Sequence, residues 1–99
     1  MIKEILTQLE TSLHPVAKAI HKGNHFRVIA IAFKEGMVLK EHKAHWPSKL
    51  TVLSGSVVYQ ETDRTISLSQ YDCVDIFPEV THQVSALEDS LCLLSQGEG

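Results

Sequence analysis

Short β-type runs fill most of this sequence and leave no room for helices between them. About nine runs of apolar and β-branched residues follow one another from residue 16 to residue 95, separated by short polar, Gly- or Pro-containing turns. The expected strands are 16–20, 26–33, 38–42, 50–53, 57–60, 65–68, 73–77, 83–87 and 91–94. Strands joined by such short turns pair antiparallel, because parallel pairs need long crossovers. We therefore predict an all-β fold in which a mainly antiparallel sheet curls into a barrel or a sandwich.

The first residues carry a different periodicity. Apolar residues recur there at spacings of three and four, at Ile2, Ile5, Leu6, Leu9 and Leu13. This spacing predicts one short amphipathic α-helix over residues 1–14, and the His14-Pro15 step disfavours its continuation. We predict a single domain over residues 1–99, with the barrel at 16–95 and a loose tail at 96–99.

The charge of the chain argues against nucleic acid as a partner. The formal net charge is −3 and the basic residues are scattered, whereas phosphate binding needs clustered Lys and Arg. No apolar stretch is long enough to span a bilayer, and the N-terminal segment carries Lys3 and Glu4 in place of an apolar signal core. We expect a cytoplasmic protein that binds neither nucleic acid nor a membrane.

Two segments carry spaced glycine, proline and histidine residues. Gly36 is followed by five residues and then His42, and Gly55 closes the same segment at a hairpin. In the second segment, a turn that contains Pro78 comes shortly before His82. These segments resemble the two motifs of the RmlC-like cupin superfamily, and the resemblance covers residues 25–95. It implies a small single-domain cupin, an antiparallel double-sheet β-barrel of jelly-roll type, with histidines that face into its mouth.

Two departures from the cupin pattern fall on positions that would hold a metal ion. Ala44 stands where the family has its second histidine, and Ser48 stands where it has a glutamate. Tyr71 and Glu79 replace glycines of the second motif, and Ala86 replaces its asparagine. The resemblance therefore implies an incomplete ligand set.

The resemblance assigns a candidate site to the barrel mouth. Its metal ligands would be His42 and His82. His45 is a third ligand only if a bulge or the end of the strand turns it inward, because residues three apart on a strand point to opposite faces. Imidazole ligands suit a divalent ion of Zn, Ni, Fe or Mn, and the alternative is that these histidines bind a small molecule or water without an ion. The surrounding pocket is predicted to contain Ser48, Trp46 and His25. The alternatives are a surface position for His25 and a subunit contact for Trp46.

Three functions are compatible with such a site. The first is a protein that binds a small polar metabolite in the barrel mouth, with or without a His-ligated metal ion. The second is a metal-dependent enzyme of the isomerase, lyase or dioxygenase type that acts on a sugar-like or keto-acid substrate. The third is a degenerate barrel that serves protein interaction. The missing glutamate favours the first over the second, and exposed strand edges lead us to expect a homodimer.

Overall fold

Two antiparallel β-sheets and an N-terminal helix make up the fold. The computed structural model describes residues 1–98, apart from the side chains of residues 41 and 42. Its elements are α1 (Ile2–Leu9), β1 (Val16–Lys22), β2 (Phe26–Phe33), β3 (Val38–His42), β4 (Ser48–Ser54), β5 (Ser56–Glu61), β6 (Thr65–Ser69), β7 (Cys73–Ile76), β8 (His82–Ala86) and β9 (Ser90–Gly97). The first sheet has the strand order β1-β2-β9-β4-β7 and the second the order β3-β8-β5-β6. The predicted fold class, mostly β with a double sheet and one short helix, is confirmed.

The main core lies between the two sheets. Side chains alternate along each strand, so every second residue points toward the opposite sheet. Phe33 from the first sheet and Tyr59 from the second are the largest fully buried side chains, and both belong to this core. Leu50 and Val84 pack in the same cluster. Burial of one face of each sheet therefore sets the register of the strands.

The helix packs on the outer face of the first sheet and is shorter than predicted. Its Ile5 and Leu9 contact Ala30 and Ala32 of β2 in a second apolar cluster. The prediction of a helix to residue 14 is wrong, because the α-helix ends at Leu9. The N–H groups of residues 10, 11 and 12 each donate to the carbonyl three residues earlier, and these hydrogen bonds tighten the chain there. Leu13 is 87% exposed and takes no part in the packing. Within the described residues, no helix is long and apolar enough to cross a membrane.

The C-terminal segment also differs from its prediction. Residues 96 and 97 belong to β9, which pairs with β2 on one side and with β4 on the other. Gln96 is buried, and the Gly97 N–H donates to the carbonyl of Pro47 over 3.2 Å. The predicted loose tail is therefore wrong for these two residues, because pairing on both sides satisfies their backbone groups. Gly99 lies outside the described residues.

Candidate functional site

One end of the double sheet carries polar residues on its inner face. In the second sheet, the backbone of His42 lies opposite His82, and His82 lies opposite Glu61. The register of β3 shifts between Leu39 and His42, where three steps on β3 match two on β8. This irregularity brings His42 into register with His82. The side chain of His42 lies outside the described residues.

His82 is held in one orientation inside this end. Its side chain is buried, and its Nδ1 lies 2.9 Å from the carbonyl oxygen of Val80. A carbonyl only accepts hydrogen bonds, so Nδ1 carries a proton and the neutral ring has its lone pair on Nε2. The ring of Tyr59 lies beside it, with ring centroids 5.6 Å apart. These contacts fix both the tautomer and the direction of the imidazole.

An ion pair that the sequence analysis missed lies next to His82. Arg64 donates from Nε to Glu61 Oε1 over 2.8 Å and from Nη2 to Glu61 Oε2 over 2.9 Å, which is bidentate geometry. The Tyr59 hydroxyl donates to the same carboxylate, and the Arg64 guanidinium stacks 5.5 Å from the Tyr59 ring centroid. The Glu61 side chain is only 12% exposed. The sequence contained one signal for this cluster. Tyr59 and Glu61 are two positions apart on a strand and therefore share a face, and Arg64 follows Glu61 by three positions across a turn.

The side chains of this cluster shift each other's pKa values. Hydrogen bonding from Arg64 holds the pKa of Glu61 below its ordinary value, and the Tyr59 hydroxyl adds to this effect. Burial, followed by the bond to Glu61, raises the pKa of Tyr59. Glu61 is therefore a carboxylate whose two oxygens accept three hydrogen bonds from Tyr59 and Arg64.

The first sheet contributes a second polar row at the same end. Arg27 pairs with Gln96 across β2 and β9, and Gln96 pairs with Ser48 across β9 and β4. The Nε–H of Arg27 donates to Gln96 Oε1 over 2.5 Å. Ser48, predicted to lie in the pocket, is buried, and its hydroxyl donates to the carbonyl of Trp46 over 3.1 Å.

Beside this row is a cavity of about 430 Å³. Its lining consists of Lys22, Gly23, Phe26, Arg27, Ala44, His45, Trp46 and Gln96. Trp46 and His45 of the predicted site are among these residues, and they come from the segment that joins β3 to β4. The strands β1 and β2 supply the opposite wall, which the sequence motifs did not indicate.

His45 lies at the rim of this cavity and contacts Glu79. Its side chain is 84% exposed, and its Nδ1 lies 2.6 Å from Glu79 Oε1. The Glu79 N–H donates to the Ala44 carbonyl over 2.8 Å, and the Lys43 Nζ lies 3.6 Å from Glu79 Oε2. The bond to His45 is the main cause that lowers the pKa of the Glu79 carboxyl. These contacts hold the segment before β4 against the turn before β8.

His25, also assigned to the pocket from the sequence, lies further out. Its side chain is 75% exposed, and its Nδ1 lies 2.5 Å from Glu98 Oε2. The Glu98 N–H donates to the His25 carbonyl over 2.9 Å, so the pair ties the β1–β2 turn to the end of β9. His25 is adjacent to Phe26 in the chain but is absent from the described lining of the cavity.

A smaller cavity of about 210 Å³ has His82 in its lining. It is lined by Gln60, Glu61, Thr62, Thr81, His82 and Gln83. The structure thus groups the predicted residues in two places. His82 lies with Glu61, whereas Trp46 and His45 lie with Arg27 and Phe26.

Solved structures match the chain over most of its length, although no family model and no curated protein matches its sequence. A cupin superfamily protein from Desulfitobacterium hafniense has a TM-score of 0.81 at 15% identity, covering 89% of this chain and 81% of that one. An RmlC-like cupin from Desulfovibrio desulfuricans has a TM-score of 0.78 at 21% identity, with coverages of 85% and 82%. KdgF from Halomonas sp. has a TM-score of 0.76 at 20% identity, with coverages of 90% and 85%. The chain has the cupin fold.

Two turns place residues other than glycine in a left-handed backbone conformation. Tyr71 has φ 72° and Glu79 has φ 65°, in the left-handed region that otherwise favours glycine. Both residues stand where the resemblance expects glycines of the second motif. Both turns therefore carry conformational strain.

Tyr71→Gly is expected to raise the free energy of unfolding by about 0.5–1 kcal/mol. Glycine removes the penalty of about 1–2 kcal/mol for a left-handed conformation in the folded state. Part of this gain is lost, because glycine also raises the conformational entropy of the unfolded chain. The Tyr71 side chain is 77% exposed, so little packing is lost. Urea denaturation measures the change. Tyr71→Ala is the control, since it removes the ring but keeps Cβ, and equal effects of the two changes would contradict the prediction.

The cupin resemblance implies a metal ion, and the described residues supply an incomplete ligand set for it. Among these residues, no group of three His, Cys, Asp or Glu side chains lies close enough to hold an ion. Glu61 is bound by Arg64, and His45 is bonded to Glu79. A metal ion at this end of the cupin fold would therefore depend on His42 together with His82.

Proposed function

We propose that this protein binds a small polar metabolite at the open end of its double sheet. The observation that carries the proposal is the cavity of about 430 Å³, which falls in the usual size range of ligand pockets. Phe26 and Trp46 supply aromatic walls, and Arg27 and Gln96 supply directed polar groups. A largely apolar lining with a few placed polar groups is typical of small-molecule sites.

Binding without turnover is favoured by how the reactive side chains are engaged. A general acid or base must reach the substrate by a direct hydrogen bond or through one water molecule. The Glu61 carboxylate is bound by Arg64 and Tyr59, and His45 is bonded to Glu79. These groups therefore serve the structure of the site, which argues for a binding protein over an enzyme.

A thermal-shift panel of sugars, uronates, keto acids and aromatic acids tests the proposal. A ligand at 100 times its Kd stabilises the folded state by about 2.7 kcal/mol, and this raises the Tm of a chain of this size by roughly 10 °C or more. Trp46→Ala should remove the shift. Tyr71→Ala is the matched control, because it truncates an aromatic residue that lies outside the described lining of the cavity. If no member of the panel changes the Tm, the binding proposal is wrong and the protein-interaction alternative takes its place.

A second proposal is a divalent metal ion on His42 and His82, which the enzyme alternative would require. Two observations support it. The backbone of His42 lies opposite His82 in the pairing of β3 with β8, which is the register such a site needs. The bond from His82 Nδ1 to the Val80 carbonyl is the contact that usually orients a metal-binding imidazole.

Titration of untagged protein with Zn²⁺, Ni²⁺, Fe²⁺ or Mn²⁺ tests this second proposal. Uptake of about one ion per chain is expected, and His42→Ala and His82→Ala should each abolish it, since removing one of two imidazoles leaves no chelate. His21→Ala, at an exposed position of β1, should leave uptake unchanged. Circular dichroism confirms that each variant folds. Uptake that persists in both His42→Ala and His82→Ala would exclude the site.

Pairing of the chain into a homodimer stays a prediction. Size-exclusion chromatography with light scattering at micromolar concentration measures the mass directly. A strictly monomeric mass would contradict it.

A further inference from the structure

We propose that the metabolite is a carboxylate attached to a flat apolar body, such as an aromatic acid, bound between Arg27 and Trp46. This inference rests on the proposed function, and it adds the chemical class of the ligand. Three independent features of the cavity carry it: its charge, the anchoring of Arg27 and the fixing of its aromatic wall.

The cavity is cationic in a chain of net negative charge. The whole chain has a formal net charge of −3, yet the cavity lining includes Lys22 and Arg27 and no Asp or Glu among the described residues. Lys22 and Arg27 stand directly opposite each other in the β1–β2 pair. Like charges in this position destabilise a sheet, so an anion between them would relieve their repulsion. The nearby carboxylates of Glu79 and Glu98 are paired with His45 and His25.

Arg27 is anchored in a way that favours an oxyanion. Its Nε–H donates to Gln96 Oε1 over 2.5 Å, and Gln96 is 7% exposed, so a buried amide holds the plane of the guanidinium. The two Nη groups then form the fork that matches the two oxygens of a carboxylate. Because the plane is already fixed, less conformational entropy is lost on binding.

The aromatic wall is also fixed before a ligand enters. The Phe26 ring lies over Gly23 so closely that a Cβ there would meet Phe26 Cε1 at 2.5 Å. The ring of His21 packs against the same phenyl ring, with centroids 5.1 Å apart. Trp46 lines the cavity from the β3–β4 segment. A flat apolar body gains contact area between such rings, whereas a compact anion would leave them unused.

Trp46 is the one tryptophan of the chain, so its fluorescence reports directly on this cavity. The probes are phenylacetate, its uncharged isostere phenylacetamide, acetate and glucose. Phenylacetate is expected to change the emission saturably. Phenylacetamide should bind at least about 10-fold more weakly, because it lacks the charge-assisted bonds to Arg27. Acetate and glucose should bind more weakly than phenylacetate.

Two variants of equal charge change separate a local contact from the overall field. Arg27→Gln should weaken phenylacetate binding roughly 10- to 100-fold and leave phenylacetamide unchanged. Lys18→Gln removes the same charge from an exposed position of β1 outside the cavity lining and should leave both unchanged. Arg27→Lys keeps the charge but loses the fork, so its affinity should lie between those of the wild type and Arg27→Gln. Circular dichroism confirms that the variants fold.

The outcomes distinguish the two proposals. If glucose or phenylacetamide binds as tightly as phenylacetate, the ligand class is wrong although the cavity still binds small molecules. If Arg27→Gln and Lys18→Gln have equal effects, Arg27 does not bind the carboxylate and the inference fails. If none of the four probes binds, the inference also fails, and the wider metabolite panel alone decides the proposed function.

Discussion

Gly55→Ala is expected to lower the free energy of unfolding by about 3–4 kcal/mol, with a fall in Tm of roughly 15–25 °C. Gly55 forms the tight turn between β4 and β5, with φ 86°. An added Cβ would lie 2.3 Å from the carbonyl oxygen of Asp89 and 2.8 Å from Cα of Ser90. Backbone atoms cannot move aside as the end of a flexible side chain can, so the clash remains. Its cost adds to the strain of the left-handed turn.

Gly36→Ala is the matched control for this prediction. Gly36 has a similar φ of 84°, but a Cβ there would meet nothing within 4 Å. Gly36→Ala should lower the free energy of unfolding only by the penalty for a left-handed conformation, about 1–2 kcal/mol. Thermal and urea denaturation of both variants give the comparison. Similar losses for the two changes would show that the contact with Asp89 and Ser90 is not the cause.

Arg64→Ala is expected to lower the free energy of unfolding by about 2 kcal/mol and the Tm by roughly 10 °C. The substitution removes charge-assisted hydrogen bonds and leaves the largely buried carboxylate of Glu61 without its cation. Arg64 also donates from Nη2 to the Asp75 carbonyl over 2.8 Å, so the variant loosens the contact between β7 and the β5–β6 turn. Lys49→Ala is the control, since its pair with Asp75 spans 3.6 Å between exposed groups. An exposed pair of this kind contributes about 0.2–1 kcal/mol at most.

The pH dependence of the Arg64→Ala effect follows from the pKa of Glu61. Arg64 lowers that pKa in the folded state, so the pair stabilises the fold above the unfolded pKa of about 4.3. The stabilisation disappears as the pH falls through the folded pKa. The difference between wild type and Arg64→Ala should therefore be large at about pH 7 and shrink as the pH falls below the unfolded pKa of Glu61. A difference that stays constant with pH would mean that packing of Arg64, and not its charge, is responsible.

The strands could be predicted from the sequence because each carries its own evidence. The ranges of β2 and β3 have the predicted bounds, and the other strands differ by a few residues at their ends. Apolar alternation and turn residues act over a few positions, which a single sequence displays directly. The ends of the chain were predicted less well, because Leu13 continues the helical spacing without being packed and Gln96 is polar yet buried.

Some of the residues at this end of the fold could be expected from the sequence, and others could not. His82 and Trp46 were expected at this end of the fold, and the structure places them there, although their roles stay predictions. Arg27 and Gln96 were missed because they lie 69 positions apart and meet only through the pairing of β2 with β9. Alternation along a strand tells which face a residue takes but not which distant strand becomes its neighbour. The same limit concealed how Glu61 approaches His82.

The position of β9 has a consequence for the order of folding during synthesis. β9 follows all the other described strands in the chain, yet it lies in the middle of the first sheet, between β2 and β4. Until residues 90–97 have left the ribosome, β2 and β4 each lack the partner that joins them. A nascent chain can form the β1–β2 hairpin but must hold two apolar strand edges open, and such edges attract other chains. The first sheet can therefore be completed only after β9 has been synthesised.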